Sequence, residues 1–215
     1  MAKEPFIKPT LFKNKNYTFG LVLAFLNTSL TFALPFMTPQ FLAKLNHLSP
    51  AMIGLVMFPA ALSSALMGRK GGKLADKKGN LLLVHTATSL LFVCYILLSS
   101  FVGSSPLLII IFLIFGNLGQ TFMSIALSNT ISRTLTKEQT GVGMGLFAML
   151  NFISGATATS LIGKLLDNNK TEFHFNPIIY NSAVFIYSNI FFVLALLIIV
   201  VAFLYSKQFG STQQK

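Results

Sequence analysis

The chain has 215 residues, 53% hydrophobic and only 10% charged, with a net charge of +11. A water-soluble domain carries roughly 25% charged residues. Composition therefore excludes an ordinary soluble or disordered protein and points to a chain solvated by lipid.

The N-terminal stretch MAKEPFIKPTLFKNKN is polar and basic, and no small-residue cleavage site follows it, so it reads as a tail over residues 1–16 and not as a secretory signal. A membrane-crossing helix needs about 20 mostly apolar residues. Six runs qualify, at Tyr17–Leu42, Pro50–Met67, Leu81–Ser100, Pro106–Asn129, Val142–Leu166 and Ser182–Tyr205. The expected fold is all-α: a six-helix membrane domain over 17–205 and a short tail over 206–215.

Lys and Arg are distributed unevenly about these spans. The two tails and the segments after spans two and four hold 13 of the 16, and the other face holds Lys44, Lys164 and Lys170. The positive-inside rule then puts both termini in the cytoplasm. Basic segments beside anionic lipid explain the net charge without a nucleic-acid partner.

Span one carries Asn27, Thr31 and Thr38, with Pro35 between them. Span four carries Asn117, Gln120, Thr121, Ser124 and Ser128 at i, i+3, i+4, i+7 and i+11, one face of a helix. Amides aimed into hydrocarbon are costly, so these faces must look at protein or at a watery cavity. Interhelical hydrogen bonding alone would account for them. Two long stripes flanked by Phe32, Phe36, Phe115 and Phe122 favour a cavity for an amphipathic ligand. The candidate substrate-binding residues are Asn27, Thr31, Asn117, Gln120, Ser124 and Asn151.

Span two repeats small residues at Ala60, Ser64 and Gly68, and span five places Asn151, Gly155, Thr159 and Gly163 at the same spacing. Such stripes let helices approach closely. Pro35 and Pro59 are candidate kinks. Spans three and six are apolar nearly all round and can face lipid. Lone Cys94 reads as a small apolar filler, His85 as an interfacial polar tip, and GVGMG at Gly141–Gly145 as a close-packing helix start.

The acids Glu4, Asp76, Glu138, Asp167 and Glu172 all lie away from the span centres, as do all Lys and Arg. Ion-coupled transport normally uses an intramembrane ionisable residue, so this chain is not expected to carry the coupling step. There is no nucleophile elbow, HExxH or P-loop, and no metal-ligand spacing. Neither an enzyme nor a metal or other cofactor is expected.

Gly68–Asn80 concentrates five cations around Asp76. Within it, Gly72-Lys73-Leu74-Ala75-Asp76-Lys77-Lys78-Gly79 resembles the signature loop of the major facilitator superfamily, G-x-L-a-D-[RK]-x-G-[RK]-[RK]. It departs from that pattern only at the trailing basic positions, here Asn80 and Leu81. As in that family, it joins the second and third of six helices. LSPAMIGLVMFPAALSSALMGRKGGKLADKKG and LTKEQTGVGMGLFAMLNFISGATATSLIGKLL are similar to the C-terminal half of fourteen-helix drug:proton antiporters, the Gram-positive tetracycline and multidrug exporters. The GPxxGG antiporter signature is absent, and the tail YSKQFGSTQQK lacks the acidic motif of sugar porters.

The resemblance implies one half-repeat of the major facilitator fold in a bacterial cell membrane. Spans one and four would line a central cavity, two and five would face another half, and three and six would face lipid. It implies as partners an N-terminal six- or eight-helix half on the same or a separate chain, the bilayer, a small amphipathic drug such as a tetracycline, and a proton whose coupling acids lie in the other half. It also implies a conformational-switch loop, Arg69, Gly72, Asp76, Lys77 and Gly79, with Asp76 latched near Thr140 and Gly141 and paired to Arg133 or Arg69. Two alternatives stay open: a non-transporting remnant or scaffold subunit, and a homodimeric facilitator.

Overall fold

The computed structural model describes residues 10–167, 175–177 and 184–210. Lys3, Lys8, Lys170, His174, the tail beyond residue 210 and the expected start of span six at Ser182 lie outside the described residues. Among the described residues all regular structure is helical, and six helical segments are long and apolar enough to cross a membrane.

Helix α1 (Thr10–Lys13) leads into α2 (Lys15–Thr31), whose first turn is capped by the Asn14 side chain accepting from the N–H groups of Asn16 and Tyr17. With α3 (Ala33–Lys44), α2 forms the first span. The break falls at Phe32. Pro35 has no N–H to give the Thr31 carbonyl, and the neighbouring bond from Phe36 N to Phe32 O is stretched to 3.3 Å.

Helix α4 (Pro50–Lys78) starts with Ser49 as cap and Pro50 in the first turn. It does not stop at Met67. Gly68–Lys78, read from sequence as a loop, is helix throughout, so the basic cluster stands on a rigid extension of span two. Lys, Leu and Ala are good helix formers, and of the three glycines here Gly71 serves close packing instead of a turn. A Cβ on Gly71 would lie 2.7 Å from the Phe122 ring. The turn is confined to Gly79, whose φ of +83° favours glycine, and α5 (Asn80–Phe101) begins at the next residue.

Helices α6 (Pro106–Ser132), α7 (Thr140–Asp167) and α8 (Phe185–Phe209) complete the bundle. The backbone of the fold is α5 packed on both α6 and α8, with α4 laid on α6 and α7 on α2. Glycines set the closest approach. A Cβ on Gly116 would meet Cys94 Sγ at 2.6 Å, and one on Gly119 would meet Ala87 O at 2.9 Å. Cys94 is thus a buried filler at the α5–α6 seam. Tyr95 and Phe41 both pack on Phe191, joining α3, α5 and α8.

Helix α8 is the most buried span, at 61%, while α4 and α7 are the least, at 17% and 28%. In a bilayer the inside of a bundle is no less apolar than the outside, so an all-apolar helix carries no sign of direction. α8 keeps one exposed stripe that includes Leu196, Val200 and Phe203 and buries the rest on α5 and α2.

The basic end of the bundle is tied by polar bonds. Asn80 Nδ2 donates to Thr130 Oγ1 at 3.2 Å, and Thr130 Oγ1 lies 2.6 Å from Tyr205 OH, linking α5, α6 and α8. Tyr17 OH donates to Gly143 O at 2.8 Å and holds α2 to the first turn of α7. Within GVGMG only Gly143 is closely packed, where a Cβ would meet Leu135, while Gly141 and Gly145 have open space around them. His85 is exposed, 3.3 Å from Ser206 Oγ.

Candidate functional site

Polar residues on α2, α6 and α7 converge on a cavity of about 180 Å³. Asn27, Thr31, Gln120, Ser124 and Asn151 all line it, with Phe32 and Phe147 as its aromatic walls. The geometry follows from local structure. Asn27 and Thr31 are one turn apart on α2, Gln120 and Ser124 are one turn apart on α6, and α7 lies against α2 so that Asn151 closes the third side.

The α2–α7 wall is itself polar. Thr28 Oγ1 donates to Asn151 Oδ1 at 2.8 Å. One turn deeper, Ser154 Oγ lies 2.8 Å from Ser29 Oγ and donates to Phe25 O at 2.6 Å. Gly155 then seats the Phe32 ring, which a Cβ would meet at 2.8 Å. The small-residue stripe of span five therefore packs α7 onto the break in span one.

The cavity residues differ in how far the protein satisfies them. Thr31 Oγ1 donates to Asn27 O on its own helix at 3.0 Å. Asn27 is only 4% exposed, yet its Oδ1 makes no hydrogen bond to the protein. A buried acceptor without a partner is costly, and here the unpartnered acceptor belongs to a residue that lines the cavity. No charged side chain is among the described residues lining the cavity.

Asn117 is not brought to the cavity. Its Nδ2 donates to Leu113 O one turn back along α6, at 3.0 Å. Thr121 also leaves the stripe, since its methyl lies 3.8 Å from where a Cβ on Gly68 would be, facing α4. Thr28 and Phe147 were missed by sequence reasoning. A signal existed for Phe147, which precedes Asn151 by one helical turn.

The switch residues lie apart from the cavity. Asp76 is in the last turn of α4, and Arg69, Asp76, Lys77 and Arg133 are all exposed. Among the described residues no hydrogen bond or ion pair involves Asp76. The expected contact with Thr140, Gly141, Arg133 or Arg69 is not made here; for Thr140 and Gly141 the reason is that α4 packs on α6 while α7 packs on α2. Gly72 has open space around its Cβ position. In the segment joining α6 and α7, the Glu138 carboxyl is held below its ordinary value by its own backbone N–H and by the Thr136 side chain.

Comparison with known proteins agrees with this architecture. The profile of the Major Facilitator Superfamily matches residues 2–159. The chain is similar to the riboflavin transporter RibZ of Clostridioides difficile (strain 630), 27% identical over 170 residues that cover 79% of this chain and 37% of that protein. It is also similar to the multidrug transporter protein MdtP of Bacillus subtilis (strain 168), 25% identical over 168 residues covering 77% of this chain and 31% of that one. The match thus spans about a third of the length of these relatives. No solved structure matches at a significant level. With six membrane helices in this packing and a family profile covering most of its length, the chain belongs to the Major Facilitator Superfamily.

Proposed function

We propose that this chain is the C-terminal half of a major facilitator exporter of amphipathic small molecules, completed by an N-terminal six- or eight-helix half on the same or a separate chain. The observation that carries the reading is the uncharged, amide- and hydroxyl-lined cavity formed by Asn27, Thr31, Gln120, Ser124 and Asn151. Such a wall suits a flat, largely neutral ligand that stacks on Phe32 and Phe147 and exchanges hydrogen bonds with amides. Tetracycline-like drugs fit that description. The similarity to a riboflavin transporter favours a second substrate within it, a flavin, whose ring edge carries both amide donors and acceptors.

The least buried spans support a second half. Leu55, Phe58, Leu62 and Leu66 are exposed along α4, and Met149, Phe152 and Ile153 along α7. In this reading these stripes meet the partner half. Parallel halves in this family type enclose substrate at their interface. The unpartnered Asp76 would then accept from a helix N-terminus of that half and latch the basic face closed. Proton coupling would reside in the partner, since no ionisable side chain of this chain lies at a span centre.

The test is substrate selectivity in cells that carry this chain beside the N-terminal half of a related exporter. Gln120→Leu should change which compounds are exported, with membrane insertion equal to the parent. An unchanged export profile would overturn the cavity assignment.

A further inference from the structure

A second and larger cavity, about 580 Å³, lies on the other side of α2, between α2, α7 and α8. The wall between the two cavities is the α2–α7 seam, with Ser29 turned to the second cavity and Asn27 and Thr31 to the first. Along this groove α7 and α8 make little direct contact.

The chemistry of the groove is unlike that of the site above. Among the described residues its polar lining is Ser29, Thr157 and Asn189, and each is engaged within the protein. Ser29 Oγ bonds Ser154 Oγ, Thr157 Oγ1 donates to Ile153 O, and Asn189 Oδ1 accepts from Phe175 N. What remains is apolar surface, aliphatic apart from the Phe25 and Phe175 rings, which gives water no hydrogen-bonding partner.

The groove also has a direction. On α8 it extends from Ile186 to Leu197, a rise of roughly 16 Å at 1.5 Å per residue. It starts at the N-terminal end of α8, on the membrane face opposite the basic cluster, and runs toward the middle of the span. That length matches one leaflet of a hydrocarbon core of about 30 Å. Its rim is open, with Leu161 59% and Val193 40% exposed, and it continues into the exposed stripe of α8.

From this geometry we infer that the groove is a binding site for one acyl chain of a membrane lipid, from the leaflet opposite the basic face. The chain lies parallel to the helices and supplies the packing that α7 and α8 do not give each other. The described lining of the groove offers contacts to hydrocarbon.

The absence of tryptophan from the sequence makes a direct test available. Ile190→Trp places one fluorophore on the groove wall, and Phe203→Trp places one on the freely exposed stripe of α8 as the reference. Each variant is reconstituted in phosphatidylcholine vesicles containing lipid brominated along its acyl chains. Ile190→Trp should be quenched to an extent comparable with Phe203→Trp, and adding Ala158→Phe to fill the groove should reduce quenching in Ile190→Trp only. Leu161→Phe, at the exposed rim, serves the same purpose if Ala158→Phe fails to insert. Quenching in Phe203→Trp with none in Ile190→Trp would mean that protein fills the groove. Quenching of Ile190→Trp by aqueous acrylamide instead would mean that water does, and quenching indifferent to both filling variants would mean ordinary lipid contact without a site. Any of these three results overturns the inference.

Discussion

Replacing Asn27 by leucine separates a ligand-facing role from a structural one, because the two predict opposite signs. Asn27 Oδ1 is buried without a protein partner. Such an orphan acceptor costs roughly 1–3 kcal/mol, and polar interactions between membrane helices average only about 0.6 kcal/mol. Leucine is larger than asparagine, but the adjoining cavity of about 180 Å³ has room for the difference, so Asn27→Leu should stabilise the fold by about 1 kcal/mol, which for a chain of this size is a rise in Tm of about 2–4 °C. Loss of one neutral hydrogen bond to substrate costs about 0.5–1.5 kcal/mol, so substrate affinity in the complete transporter should fall by about 2- to 12-fold. Stability is readable without engineering, since the lone Cys94 is fully buried and a thiol-reactive dye reports its exposure on heating. A variant that melts below the parent while transporting as the parent does would refute the assignment of Asn27 to the cavity.

Other substitutions test the packing and the switch. Gly119→Ala should lower stability by roughly 1–3 kcal/mol, because its Cβ would meet Ala87 O and Leu91 N, backbone atoms that cannot turn aside; an unchanged melting curve would contradict the α5–α6 seam. Thr130→Val removes the hydroxyl shared by Asn80 and Tyr205 and should cost about 1–3 kcal/mol, again by the Cys94 melt. Asp76→Asn should leave the melting of this chain within about 0.5 kcal/mol of the parent, since Asp76 is exposed and unbonded here, while reducing export in the presence of a partner half. Equal export at equal protein level would remove Asp76 from the mechanism.

The sequence carried the span count, and it placed most of the cavity, for one reason. A polar side chain in a membrane helix is expensive, so the i, i+4 pairs Asn27–Thr31 and Gln120–Ser124 mark a shared face by their spacing alone. Asn117 breaks the same rule because an amide can fold back onto its own helix, as its bond to Leu113 O does, and periodicity does not register that option. Which stripe of span six stays exposed is not legible, because lipid and bundle interior look alike to an aliphatic side chain. The helical course of Gly68–Lys78 is hidden by its glycines, which suggest turns to a reader of sequence, whereas in the structure Gly71 lets α4 close on Phe122. The missing contact of Asp76 is illegible for another reason: which helices neighbour α4 is a property of the whole bundle.

The pairing of this chain with a second half is best tested by drug accumulation in cells that express it alone and then beside an N-terminal half of a related exporter, with insertion verified in both. Export that appears only on co-expression and stops on addition of a proton uncoupler is the expected result. Export by this chain alone would contradict it and identify a homodimer, and no export in either case, despite full insertion, would leave a membrane protein that does not transport.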